Sequence, residues 1–166
     1  MFDLTVPQAA LAFLVLITPL CLWVVYTDLK YMKIFNRQTD LLLVIFVVSG
    51  PFILPLDVYL WRLPHFVVLF AVGFVLNQIA HFGAGDAKFM AAAAPFFSHA
   101  PANVMLAVLL LSAFLLGAFA THRLMRAVPA VRAMAPDWVS WTRKDFPMGL
   151  ALVGTLWTYL ALAAFS

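Results

Sequence analysis

The sequence predicts an all-α fold: a polytopic integral membrane protein with about six transmembrane helices, the fourth of them short. Hydrophobic residues make up 66% of the 166 positions, against about half in a soluble domain. Only 10% of residues are charged, where a soluble chain carries about a quarter. The mean hydropathy is +1.03. Such a composition excludes an ordinary soluble domain and a disordered chain, which needs low hydrophobicity and high charge.

Apolar runs near the roughly 20 residues that span a bilayer recur along the chain. The first covers 7–26 and is broken only by Pro19 and small polar residues. Met1-Phe2-Asp3 ahead of it has no basic stretch, so it reads as a retained span and not as a secretory signal. The second covers 41–56, with Gly50, Pro51 and Pro55 near its far end, and the third 64–80. A short run, 87–97, follows, then 102–120 and 148–165. As a helix, the twelve residues 86–97 cover only about 18 Å. The segment is thus either a helix that starts inside the membrane or a re-entrant one, with Gly83, Gly85 and Asp86 at membrane depth.

Charge supports the six-span count. With six crossings, Lys30, Lys33, Arg37, Lys88, Arg123, Arg126, Arg132, Arg143 and Lys144 share one side, and Arg62 alone is on the other. The basic side is cytoplasmic by the positive-inside rule, and both chain ends face outward. The only long polar stretch, 121–147, reads as a basic cytoplasmic loop against anionic headgroups, with Trp138 and Trp141 as interface anchors. It lies within a single membrane domain, 1–166. Its basic residues are too few for a nucleic-acid partner. The alanine run 91–94 suits close helix packing, and the lone Cys21 is a small buried hydrophobe.

Ionisable residues at membrane depth are costly and commonly functional. All seven acidic residues are Asp, and two stand out. Asp28 ends the first span in Tyr26-Thr27-Asp28-Leu29-Lys30, and Asp86 opens the short segment in Gly83-Ala84-Gly85-Asp86-Ala87-Lys88. Six crossings put both at the same end of the bundle. Two carboxylates sharing a site hold one proton between them, so one activates water while the other polarises a carbonyl and donates a proton. Other roles remain open: Asp86 as a helix cap, Asp28 paired with a nearby lysine, or both as an ion or proton relay. Asn36, Asn77, Gln78 and His81 are candidate supporting polar residues or plain helix contacts. His65 and His99 lie on the outward side, and no His/Asp/Glu spacing suits a metal hydrolase.

The motifs resemble the prepilin peptidase family of membrane aspartic proteases with a Gly-x-Gly-Asp signature. More narrowly, they resemble the short form of tight-adherence (Flp-type) pilus systems. Asp28 with Ile34-Phe35-Asn36 matches the family's first motif, Phe35 replacing its usual Pro. Gly83-Ala84-Gly85-Asp86-Ala87-Lys88 matches the second, and Pro147-Met148-Gly149 a third Pro-aromatic-Gly element, except at Met148.

The resemblance implies Asp28 and Asp86 as catalytic, Gly83 and Gly85 as backbone positioners, and Lys30, Ile34, Asn36, Lys88, Pro147 and Gly149 as supporting residues. It implies no metal and no cofactor. It also implies a bacterial inner-membrane enzyme, its active site toward the cytoplasm, that cuts a basic leader from a prepilin or pseudopilin, typically after Gly. Asp40, Asp137 and Asp145 are candidates to attract that leader. Pilus assembly proteins and membrane lipids are the other implied partners. Longer members add a cysteine-bearing cytoplasmic domain and methylate the new terminus; this chain has neither that insertion nor its cysteines, which implies peptidase activity alone. A non-catalytic assembly component and a small ion or proton transporter are the alternatives from other classes.

Overall fold

The computed structural model describes residues 4–80 and 82–166; Met1, Phe2, Asp3 and His81 lie outside the described residues. Seven α-helices follow in order: α1 Val6–Tyr31, α2 Asn36–Ile53, α3 Leu56–Ala80, α4 Ala84–Ala93, α5 Pro101–Ala127, α6 Pro129–Met134 and α7 Gly149–Ala164. Short 3₁₀ turns occupy Ala94–Phe96 and Val139–Trp141. The chain is an all-α, polytopic membrane protein.

Among the described residues, three helices, α1, α3 and α5, are long and apolar enough to cross a membrane. The other expected spans are shorter or more polar. Helix α2 opens on Asn36-Arg37-Gln38-Thr39-Asp40, α7 has 16 residues and α4 has 10. Helix α5 runs seven residues past the expected end of its span, to Ala127, so the polar stretch begins as helix.

Helix α1 is the hub. Thr5 caps it, with its backbone N–H donating to Gln8 Oε1 at 2.9 Å. It packs most extensively on α7 and also on α2. Phe13 of α1, Phe46 of α2 and Phe96 beyond α4 meet at ring-centroid distances of 5.2–5.7 Å and are nearly inaccessible. Within a bilayer, such packing and not water exclusion holds helices together. At Gly73 of α3, an added Cβ would stand 2.9 Å from Ala87 Cβ, so the missing side chain lets α3 close on α4. Helices α3 and α5 bury little of their apolar surface within the chain.

The end of α1 turns sharply. Met32 takes a left-handed conformation, φ 53°, and its N–H donates to the Asp28 carbonyl at 2.8 Å. The helix therefore stops one turn past Asp28, and Ile34 folds back toward α4.

Candidate active site

Asp28 sits in the last turn of α1 and is 5% exposed. Its Oδ2 accepts a 2.6 Å hydrogen bond from the backbone N–H of Gly149, the first residue of α7. The free N–H groups of a helix start favour a negative charge there. A Cβ on Gly149 would lie 2.8 Å from that oxygen and 3.0 Å from Asp28 Cβ, so only glycine admits the contact. The buried Pro147 ends the preceding segment and delivers Gly149 to this position.

Asp86 is half-buried in the first turn of α4. It is not the cap: Gly83 holds that place, and Asp86 follows three residues later. Its carboxyl folds back over Gly83, where any Cβ would collide with Oδ2. Gly85 faces the first motif, and its added Cβ would stand 3.0 Å from the Ile34 carbonyl oxygen. Glycine at 85 thus lets the start of α4 rest on the turn after α1.

These contacts set Asp28 and Asp86 at the same end of the bundle, with the start of α4 resting on the turn that follows Asp28. A second link joins the two motifs: Lys88 Nζ donates to Asn36 Oδ1 at 2.9 Å. Asn77 Nδ2 donates to the Phe82 carbonyl at 2.5 Å and secures the turn into the glycine motif. Gln78 donates to Asn77 at 3.2 Å and stays outside the site. His81 lies outside the described residues.

Lys30 does not pair with Asp28. Its ammonium meets Asp137 at 3.0 Å and the Tyr26 hydroxyl at 3.2 Å. Asp137 is therefore held below the usual carboxylate range by the Lys30 ammonium. Asp145 is likewise paired, 3.4 Å from Arg143, whereas Asp40 is exposed near the start of α2.

The segment after α5 is tied across the end of the bundle. Arg123 and Arg126 donate to the carbonyls of Lys144 and Arg143, each at 2.7 Å. His122 stacks on Trp141 at 5.3 Å, Trp141 on Trp138 at 5.6 Å, and Trp138 meets Tyr26 of α1 edge-on at 6.5 Å. The two tryptophans fasten this segment to α1 and α5.

Two residues absent from the sequence expectations support the site. Gln38 is fully buried; its Oε1 accepts from Phe35 N–H at 2.8 Å and its Nε2 donates to Thr27 Oγ1 at 2.9 Å. Thr27 is the neighbour of Asp28, so this pair clamps the end of α1 to the start of α2. The signal was a Gln three residues past the helix cap, where it reaches back to the cap backbone. Among the described residues, no three His, Cys, Asp or Glu side chains gather as a metal ligand set.

An all-α membrane bundle with two aspartates drawn together at one end defines the class of membrane aspartic proteases. The sequence model of the Type IV leader peptidase family matches residues 14–121, a stretch that includes both aspartates and stops short of Gly149. The chain belongs to that family and is a membrane aspartic endopeptidase of the prepilin peptidase kind. Among curated proteins and solved structures, none matches the chain.

Proposed function

We propose that Asp28 and Asp86 are the catalytic pair, and that they cut the basic leader from a prepilin or pseudopilin at the cytoplasmic face of a six-span bundle in a bacterial inner membrane. One observation carries it: two carboxyl groups 58 positions apart in sequence are held at one end of the bundle, where the start of α4 rests on the turn after Asp28, each backed by a glycine whose side chain would displace it. One carboxylate takes a proton from water as the oxygen attacks the scissile carbonyl carbon. The protonated partner donates to the carbonyl oxygen, and proton return to the amide nitrogen releases the new amino terminus. No covalent enzyme intermediate forms, and the titration belongs to the pair.

The six-span topology rests on charge: crossing by α2, α4 and α7 as well as by the three long helices keeps nine of the ten basic residues on one side. The single membrane domain then spans 1–166, with 121–147 as a cytoplasmic segment tied over the site. The short form of the tight-adherence pilus peptidases fits this outline. With Asp137 and Asp145 already paired, Asp40 is the acidic side chain most open to a basic leader.

The test uses purified protein in lipid vesicles with full-length prepilins, read by product mass. Wild type cuts at the leader junction, and Asp28→Asn and Asp86→Asn do not. Either variant cutting near the wild-type rate removes its carboxylate from the mechanism. Cognate prepilins left intact by wild type return the chain to a scaffold role in pilus assembly. An added methyl mass with a methyl donor present contradicts a peptidase-only activity.

A further inference from the structure

Helix α4 carries Asp86 in its first turn. Met90 and Ala93 follow at the spacing of one helix face, and Phe97 lies just past the 3₁₀ turn after the helix. These three line an apolar groove of ≈ 360 Å³ that begins one turn from Asp86. Leu69 of α3 and Val108 of α5 form its walls. Among the described residues, no acidic side chain lines it. The end away from Asp86 holds His65 and His99, their rings 6.4 Å apart, and nearby the Arg62 guanidinium donates to the Phe96 carbonyl at 3.3 Å. From Asp86 to Ala93 the helix covers about 11 Å.

We propose that this groove seats the apolar helix of the prepilin, the segment directly after the scissile bond, with its amino-terminal end at Asp86. The inference rests on the proteolytic function proposed above and adds the substrate path. Charge sets the direction. A basic leader is repelled by the Arg62 guanidinium near the far end and is left beside the two aspartates. An uncharged helix matches the walls along the remaining length. Helix association in lipid depends on close packing, and Ala93, Ala94 and Ala107 leave room for it. A second cleft, lined by Ala113 and Gly117 of α5 together with Trp157 of α7, has no lining residue from α4. A helix lying there would not share a helix face with Asp86.

The two clefts are lined by different residues of α5 and can be told apart. A photoreactive phenylalanine analogue replaces Val108 in one enzyme and Ala113 in another, both carrying Asp86→Asn to hold substrate. The probe is a full-length prepilin that the wild-type enzyme cleaves in the vesicle assay. The Val108 position captures the prepilin's apolar helix and the Ala113 position does not. Separately, in active enzyme, Ala107→Trp raises the half-saturating prepilin density about tenfold, whereas Ala113→Trp leaves it unchanged. Capture at Ala113 equal to that at Val108, or capture of lipid alone at Val108, overturns the groove assignment. No Val108 product despite wild-type cleavage also overturns it while leaving the peptidase intact. Failure of wild type to cut any prepilin overturns the peptidase function, and the groove assignment with it.

Discussion

Gly149→Ala should damage cleavage while sparing the fold. The added Cβ would stand 2.8 Å from Asp28 Oδ2, where ordinary contact begins at 3.4 Å, so the carboxyl must retreat by about 0.6 Å. That movement disrupts the 2.6 Å hydrogen bond from the Gly149 N–H. A bond to a charged group is worth about 1.5–3 kcal/mol. If it is made in the transition state, its loss slows turnover about 10- to 150-fold at 1.36 kcal/mol per decade. Substrate contacts along the bundle are untouched, so KM should hold and kcat should fall. The assay is prepilin cleavage in vesicles, with helix content and thermal unfolding measured on the same preparation. Gly117→Ala is the companion: nothing lies within 4 Å of its added Cβ, and wild-type cleavage is expected. Gly149→Ala cutting within twofold of wild type would refute the claim that this contact positions Asp28.

Gln38→Ala removes the partner of Phe35 N–H and Thr27 Oγ1 at a fully buried position. It should cost about 2–4 kcal/mol of stability, measured by denaturant unfolding in detergent. Lys88→Ala and Asn36→Ala should be non-additive, because the 2.9 Å bond between them is the link between the motifs; a double-mutant cycle on cleavage rate should return about 0.5–1 kcal/mol of coupling. The Lys30 ammonium lowers the Asp137 pKa in the folded state, so their contact is fully present above the ordinary carboxylate value of about 3.9 and is lost as pH falls through the lowered one. Fluorescence of Trp138, whose ring meets Tyr26, should stay constant from neutral pH down to that range and change below it; Asp137→Asn should produce the change at neutral pH. Chelation with EDTA should leave cleavage at the wild-type rate, and inhibition reversed by added metal would expose a metal site.

Hydropathy made the helical class and the apolar runs legible, because each run is a local property of the chain. The two aspartates were legible as charges where charge is expensive. Helix ends were less so: α5 continues through Thr121–Ala127 because nothing there breaks a helix before Pro129, and hydropathy sees only its loss of apolar character. Gln38 and Thr27 escaped notice because their meaning is a pairing across eleven residues, which no window reveals. The ring contacts of the tryptophans escaped notice for a related reason. A Trp near a membrane boundary suits the interface equally well whether its ring meets lipid or another ring, and the Trp138–Trp141–His122 stack is a tertiary choice. Gly149 shows the reverse case. A motif residue with no side chain became explicable only when its missing Cβ proved to be the space for Asp28.

The packing divides the molecule by task. Helices α1, α2, α4 and α7 supply nearly all buried side chains, whereas α3 and α5 contribute few. The aspartates belong to the first group, on α1 and α4, and their positions are fixed by turns and glycines within it. A proteolytic carboxyl pair needs that fixity, since a misplacement of about 1 Å costs about a hundredfold in rate. A substrate helix in the bilayer needs the opposite, a way in from the side. The gap between α3 and α5 provides one without disturbing the core, because it uncovers the face of α4 below Asp86 and nothing of α1. Variants that fill this gap should therefore change substrate affinity before they change the stability of the bundle, and variants at the glycines should do neither before they change turnover. A residue on α3 or α5 whose replacement lowered kcat at unchanged KM would break that division.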